Sequence, residues 1–243
     1  MGNLMAVFLD ADGTLVNHEM CEKQALVHMF TNIGIAYKNM YQEIFRPLDY
    51  QLWDSAADGT CPVSGEEIPV YRFKCLFERI GVQYNDCERA NELFKEGLAN
   101  STALIENAVE LVTALCDMGL ILCVVTNGLV QLQKPRVVNS EIGRFISHII
   151  VSEEVGAHKP NPLIFNELLG RLGLDADNVI MLGDSLKNDV QGAKNAGIKS
   201  IWFNPGRIIN ETAISPDYEI HNLLDAVGVI MQLIVSSIGI SLA

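Results

Sequence analysis

The amino-acid sequence predicts an α/β fold in which a parallel sheet carries helices on both faces and an all-helical segment is inserted after the first strand. Three observations support this prediction. An apolar run ends at two aspartates near the N-terminus, helical periodicity without a strand follows as far as residue 119, and short apolar runs alternate with amphipathic segments beyond residue 103. Such alternation of strands and helices is typical of parallel sheets whose two faces are both covered.

The first strand is the apolar run of residues 4–9, which ends at Asp10. Helical spacing of apolar residues then predicts an insert of four helical segments, in which Pro47 is expected to break the second or to start its second half. The four segments cover residues 20–33, 41–52, 70–80 and 86–98. We therefore predict a helical cap domain over residues 17–100 and a core formed by residues 1–16 and 101–243.

The core resumes with a helix over residues 107–118, for which Gly119 provides a C-cap. Further strands are predicted where short apolar runs recur, with amphipathic helices between them. These strands cover residues 120–125, 148–151, 179–182 and 200–203. The uncharged stretch of residues 226–243 is predicted to be a closing core helix with a loose tail rather than a membrane span, because polar residues and glycines interrupt it.

Composition limits the classes of function. The chain has 243 residues, an apolar content of 49% and a formal net charge of −13, which disfavours binding to nucleic acid polymers and to anionic membrane surfaces. Its six cysteines form no C-x-x-C pair, so we expect free thiols and a cytoplasmic location. No basic, apolar secretory signal is predicted at the N-terminus.

Two carboxylates, Asp10 and Asp12, stand where the first strand ends, and Gly13 allows the chain to turn there. The carboxyl ends of parallel strands open into the crevice where ligands bind. Like charges at about 4 Å repel by about 4 kcal/mol at an effective dielectric constant of about 20. A cation or a shared proton would relieve that repulsion, and Mg²⁺ is a cation that suits carboxylate oxygens.

Three further chain segments bring polar residues to the same edge of the predicted sheet. Thr126-Asn127-Gly128 follows the second strand, Lys159-Pro160 follows the third, and Gly183-Asp184 with Asp189 follows the fourth. Each segment has an ordinary alternative interpretation: an Asn-Gly turn, a solvated lysine, and an aspartate that caps a helix. Together, however, they supply oxygen ligands for a metal, a hydroxyl and a cation for phosphate, and a carboxylate that could attack.

These four motifs, in this order, resemble those of the haloacid dehalogenase superfamily. The resemblance implies a Rossmann-like core with an inserted helical cap, and Mg²⁺-dependent hydrolysis of phosphomonoesters. It implies that Asp10 is the nucleophile and forms an aspartyl-phosphate, while Asp12 protonates the leaving oxygen and later activates water. Asp12 also argues against dehalogenation, because dehalogenating members lack the second aspartate.

The resemblance also assigns the binding residues. Mg²⁺ would be held by Asp10, Asp184 and the carbonyl oxygen of Asp12. Thr126 and the amide groups that follow it, from Asn127, would bind the phosphoryl oxygens, and Lys159 would neutralise charge. The supporting residues would be Gly128 in the turn and Asp189, which would assist either Lys159 or the water shell of the metal.

Within the superfamily, the sequence around Thr126 with Gln133 and Arg136, followed by residues 152–160, is most similar to the pyrimidine 5′-nucleotidase group. This favours a small phosphorylated metabolite, first of all a nucleoside 5′-monophosphate, as substrate. The alternatives are a sugar-phosphate or phosphoglycolate phosphatase, a phosphomutase that uses the same aspartates, and a non-catalytic binding module. The sequence allows either a monomer or a homodimer.

Overall fold

The computed structural model describes residues 4–57 and 59–238. The chain forms two compact units, one built from Met1–His18 and Thr102–Ala243 and the other from Glu19–Ser101. The first unit contains the sheet, and the second is helical.

Six parallel strands form one sheet, in the order β3-β2-β1-β4-β5-β6. The strands are β1 (Ala6–Leu9), β2 (Ile121–Thr126), β3 (His148–Val151), β4 (Val179–Gly183), β5 (Lys199–Phe203) and β6 (Tyr218–Ile220). The chain adds β2 and β3 on one side of β1 and then crosses to add β4, β5 and β6 on the other. The strand order thus reverses at β1 and β4, and ligands of open α/β sheets bind beyond the carboxyl ends of strands at such a point.

Ten α-helices accompany the strands among the described residues. They are α1 (His18–Asn32), α2 (Met40–Ala57), α3 (Ile68–Ile80), α4 (Cys87–Asn100), α5 (Ala108–Asp117), α6 (Val130–Val138), α7 (Ser152–Val155), α8 (Leu163–Leu172), α9 (Gln191–Asn195) and α10 (Asp225–Ile238). Short 3₁₀ turns cover Gly143–Phe145 and Ala176–Asn178, and a π-helical turn covers Leu186–Val190.

Both faces of the sheet are covered by helices. Alternate residues of a strand point to opposite faces, and every residue of β1 is buried. Phe8 belongs to a core cluster that includes Phe165 and Leu168 of α8, while α5 contacts β2 and α10 contacts α5 and β6. The predicted α/β fold with a parallel sheet is therefore confirmed, and burial on both faces explains why its strands are continuous apolar runs.

One local prediction is wrong, and one strand was not predicted. Pro47 does not break its helix, because α2 continues through it. A proline inside a helix costs about 3 kcal/mol, and the burial of Phe45, which stacks on Phe73 of α3, and of Leu48 offsets that cost. The sequence patterns also miss β6, whose three residues pair only with β5 at the edge of the sheet.

The predicted closing helix is present as α10, whereas residues 239–243 of the predicted tail lie outside the described residues. None of the described helices has the length and apolarity needed to cross a bilayer. All six cysteines lie within the described ranges, and each is a free thiol.

Candidate active site

The strand ends meet in a small polar pocket of the first unit. Asp10 directly follows β1, Thr126 ends β2, and Asp184 directly follows β4. The pocket has a volume of about 210 Å³ and is lined by Asp10, Asp12, Thr126, Asn127, Lys159, Asp184, Ser185, Asn188 and Asp189. The residues predicted from the four motifs are thus brought together at one edge of the sheet.

Lys159 is the centre of the hydrogen bonding in this pocket. Its Nζ donates to Asp10 Oδ1 at 2.5 Å, to Asp189 Oδ1 at 2.7 Å and to the carbonyl oxygen of Val125 at 2.7 Å. These three bonds use the three hydrogens of an ammonium group. Burial lowers the pKa of Lys159, but the charges of Asp10 and Asp189 outweigh that effect and raise it well above the usual value. Lys159 is therefore a fixed cation rather than a solvated surface lysine.

The backbone of Lys159 is held by the side chain of Asn127. Asn127 Oδ1 accepts a hydrogen bond from the Lys159 amide at 2.8 Å, and Asn127 Nδ2 donates to the Lys159 carbonyl oxygen at 3.1 Å. The peptide bond between Lys159 and Pro160 is cis. The Asn127 side chain thus positions Lys159, and this contact between residues far apart in the sequence was not predicted.

Gly128 lies in the turn after β2. Its amide donates to Ser152 Oγ at 3.0 Å, which ties the end of β2 to the start of α7. Gly128 was predicted to be a supporting residue, and in the structure its backbone links the segment after β2 to the segment that begins α7.

Three carboxylates converge on one side of the pocket. Oxygen atoms of Asp10, Asp184 and Asp189 all lie within 4.8 Å of one another. Burial raises the pKa of Asp10, despite its ion pair with Lys159, and burial together with the charge of Asp189 raises the pKa of Asp184. One lysine therefore faces three acidic groups, and a divalent cation would offset the remaining negative charge. The oxygen donor set fits a hard cation such as Mg²⁺.

Asp189 contacts Lys159 and also lies within the group of three carboxylates. Its Oδ1 accepts from Lys159, its Oδ2 accepts from the Ser185 amide at 2.9 Å, and its carboxylate belongs to the group of three. The π-helical turn that carries Asp189 begins after Ser185, whose hydroxyl accepts from the amide of Asn188. This turn therefore directs Asp189 back toward the strand ends.

The side chain of Asp12 lies in a different environment. Arg136 binds both of its oxygens, with Nη2 at 2.6 Å from Oδ1 and Nη1 at 3.2 Å from Oδ2, and Gln133 Nε2 donates to Oδ2 at 2.8 Å. His18 Nδ1 lies 3.3 Å from Oδ1. Burial raises the pKa of Asp12, but the hydrogen bond from His18 and the charge of Arg136 more than compensate and lower it well below the usual range.

The sequence predictions gave no role to His18, Gln133 or Arg136. A signal was available for two of them, because Gln133 and Arg136 are three residues apart on α6 and such residues share one face of a helix. Both are buried, which is unusual for an arginine and a glutamine without partners. What the sequence could not identify is the carboxylate that they bind.

Two glycines leave room for the carboxylates. A Cβ atom on Gly13 would lie 2.5 Å from Asp184 Oδ2, and one on Gly183 would overlap the carboxylate of Asp189. Gly13 also has φ of +87°, a conformation that favours glycine. A side chain at either position would therefore displace the carboxylate of Asp184 or of Asp189.

We expect Gly13→Ala to displace the Asp184 carboxylate and to lower catalytic activity by about 10²-fold, the usual effect of misplacing a group at the reaction centre by about 1 Å. Gly156→Ala is a matched control, because Gly156 has φ of +68° but an added Cβ there meets nothing within 4 Å. Steady-state kinetics of both variants checks this prediction. Equal losses in the two variants would show that backbone strain, and not Asp184, is responsible.

The comparison with known families agrees with this geometry. A family model described as haloacid dehalogenase-like hydrolase matches residues 4–197. The chain belongs to this family. The matched range includes the segments that supply all four strand-end motifs, so every residue that lines the candidate site lies within it.

Individual relatives of this haloacid dehalogenase-like hydrolase match nearly the full chain. Pyrimidine 5′-nucleotidase PynA of Streptococcus pneumoniae is 28% identical over 220 residues, which are 90% of this chain and 92% of the relative. Pyrimidine 5′-nucleotidase YjjG of Escherichia coli is 27% identical over 218 residues, 89% of this chain and 93% of the relative. The crystal structure of the HAD-hydrolase candidate YfnB of Bacillus subtilis, described as bound to magnesium, has a TM-score of 0.83 at 27% identity and covers 94% of this chain and 99% of its own.

Proposed function

We propose that this protein is a Mg²⁺-dependent phosphatase that hydrolyses small phosphomonoesters through an aspartyl-phosphate on Asp10, and that nucleoside 5′-monophosphates are its preferred substrates. The observation that carries the proposal is the buried pair of Asp10 and Lys159, which lies beside the group formed by Asp10, Asp184 and Asp189. We further propose that residues 17–100 are the cap domain and that residues 1–16 and 101–243 are the catalytic core.

In the proposed phosphoryl transfer, Asp10 is the nucleophile and Asp12 is the general acid and base. Asp10, oriented by Lys159, attacks phosphorus while the bond from phosphorus to the leaving oxygen breaks and Asp12 gives a proton to that oxygen. Water then attacks the phosphorus of the aspartyl-phosphate, Asp12 takes a proton from the water, and inorganic phosphate leaves Asp10 regenerated. Positioning and neutralisation of charge are the main requirements of such transfers.

The phosphoryl group is bound by Thr126, by the amide of Asn127 and by the charge of Lys159. Since the three hydrogens of Lys159 are donated to Asp10, Asp189 and Val125, its effect on phosphate is electrostatic. The pocket of about 210 Å³ is smaller than a typical ligand site of about 300–1,000 Å³. It therefore suits the phosphoryl end of a substrate whose remainder extends outside.

Mg²⁺ would be held by Asp10, Asp184 and the carbonyl oxygen of Asp12, next to Asp189. When bound, it supplies positive charge to the phosphoryl oxygens. The relatives named pyrimidine 5′-nucleotidases support a nucleotide substrate, and the magnesium-bound relative supports the choice of metal.

We expect Asp184→Asn to stabilise the metal-free protein, since it removes a charge that burial disfavours and that Asp189 repels. Because the pKa of Asp184 is raised in the folded state, the natural protein loses stability as the pH rises through that pKa. The variant should therefore be more stable than the natural protein at pH 7–8, and this difference should disappear below about pH 4. At the same concentration, Mg²⁺ should raise the Tm of the natural protein by more than that of the variant. Thermal unfolding in EDTA and in Mg²⁺ measures both effects, and Asp177→Asn, at an exposed position, is the control. If Mg²⁺ raised the Tm of Asp184→Asn as much as that of the natural protein, Asp184 would not be a metal ligand.

Phosphate release from a panel of nucleotides, sugar phosphates and phosphoglycolate, with and without Mg²⁺, tests the proposed function. Metal-dependent release led by nucleoside 5′-monophosphates is the expected result. Release led by sugar phosphates or phosphoglycolate would retain the chemistry and reject the nucleotide assignment. Phosphate returned to a sugar instead of released would indicate a mutase, and no turnover of any substrate would reject the phosphatase.

A further inference from the structure

Helix α6 carries a binding site for one carboxylate, that of Asp12. The side chain of Arg136 is 3% exposed and presents two N–H groups to the two oxygens of Asp12. A bidentate ion pair of this kind fixes the plane of a carboxylate as well as its position, because the guanidinium group is planar and its donors are rigidly spaced. Asp12 is therefore held in one orientation.

Gln133 adds a directional contact to the same carboxylate. Its Nε2 donates to Asp12 Oδ2, while its buried Oε1 has no hydrogen-bond partner among the described residues. The opposite orientation of the amide would place Oε1 against an anionic oxygen, which would be repulsive. The amide group thus donates to Asp12 at 2.8 Å and, more weakly, to the carbonyl oxygen of Asn127 at 3.3 Å.

The site separates two aspartates that are only two positions apart. Asp10 is bound by Lys159, and Asp12 is bound by Arg136. Without its own cation, the Asp12 carboxylate would be attracted by Lys159 and by any divalent cation at Asp10, Asp184 and Asp189, where it would compete with phosphate. A second cation, Arg136 on α6, prevents this competition.

We propose that Arg136 and Gln133 are positioning residues that hold the Asp12 carboxylate apart from the Asp10–Lys159 pair and orient it for proton transfer. This inference rests on the proposed function. In the step concerned, the electron pair of the breaking phosphorus–oxygen bond passes to the leaving oxygen, which takes one proton from Asp12. Arg136 and Gln133 hold Asp12 as the carboxylate, so the oxygen that carries this proton gives up its contact with one of them in that step. In the second step the Asp12 carboxylate takes one proton from the attacking water.

The dependence of rate on the leaving group tests the proposal. A nucleoside 5′-monophosphate releases a basic alkoxide that needs a proton, whereas p-nitrophenyl phosphate releases a stable phenolate that does not. We expect Arg136→Met to lower kcat/KM, which reports formation of the aspartyl-phosphate, by about 10²-fold for the nucleotide and by less than about 5-fold for p-nitrophenyl phosphate. The kcat should fall for both substrates, because hydrolysis of the shared intermediate also uses Asp12. Asp12→Asn should show the same pattern, and Arg136→Met should add little to the loss caused by Asp12→Asn.

Two further variants keep the test informative if Arg136→Met folds poorly. Gln133→Glu keeps the shape of the side chain but replaces the donor with an acceptor, so it should show the same dependence on the leaving group. Arg171→Met removes an exposed arginine from α8 and should change neither rate. Equal losses for both substrates in Gln133→Glu, or additive losses in the double variant, would overturn the positioning role while leaving the phosphatase intact. A natural protein inactive on both substrates would reject the proposed function and this inference together.

Discussion

Replacing Asp10 with asparagine is expected to lower kcat by at least about 10⁴-fold, because an amide cannot form the covalent phosphoryl intermediate. The fold should survive, since Lys159 would keep its bonds to Asp189 and to the carbonyl oxygen of Val125. Kinetics on the best nucleotide substrate, together with circular dichroism and the Tm, measures both effects.

Asp10 also lies in the carboxylate group, so loss of a metal ligand must be distinguished from loss of the nucleophile. Raising the Mg²⁺ concentration should restore part of the activity of Asp184→Asn but none of that of Asp10→Asn. Acid-quenched protein should carry labelled phosphate when Asp10 is present and not when it is asparagine. The exposed Asp177→Asn is the control, and substantial turnover by Asp10→Asn would remove Asp10 from the role of nucleophile.

The second large effect is expected from Lys159→Met, which leaves Asp10 and Asp189 buried without their cation. Removing one partner of a buried ion pair typically costs about 3–5 kcal/mol, so the free energy of unfolding should fall by about that amount in the absence of Mg²⁺. We also expect kcat/KM to fall by about 10³-fold, as for loss of a preorganised electrostatic contact. Urea unfolding and steady-state kinetics measure the two losses.

The pH dependence of the loss caused by Lys159→Met follows from the direction of the pKa shifts. Burial raises the pKa of Asp10 even with Lys159 present, and removing the cation should raise it further. Protonation at low pH then neutralises the unpaired acid, so the destabilisation should be larger at pH 8 than at pH 5. In the natural protein, the pKa of Lys159 is raised, so its contribution is fully present below about pH 10 and is lost only as the pH rises beyond that.

Two comparisons make the lysine prediction specific. Lys194→Met changes an exposed lysine on α9 and should alter stability by no more than about 0.5 kcal/mol. Mg²⁺ should restore part of the stability lost by Lys159→Met, because a divalent cation replaces some of the missing positive charge. If both lysine variants unfolded at the same urea concentration, the buried network would not have the energetic role assigned to it.

The local pattern of the sequence was sufficient for the framework of the site. Apolar runs that end at Asp10, Thr126 and Asp184 predicted three strand ends, and parallel topology brings such ends to one edge. The edge strand β6 was missed because three residues with little periodicity form a strand only when β5 is beside them. Pro47 was misjudged because its cost is local, whereas the packing of α2 on α3 that outweighs it is not.

The sequence by itself determined which chemical groups this protein brings to the ends of its strands, because strand boundaries and turn residues are encoded within a few neighbouring positions. The tertiary structure alone decided which groups bind each other. Asn127 binds the backbone of Lys159, and Arg136 binds Asp12 at a separation of 124 positions. Such pairs depend on how distant segments pack. Only the folded chain therefore shows that Lys159 binds Asp10 whereas Arg136 binds Asp12.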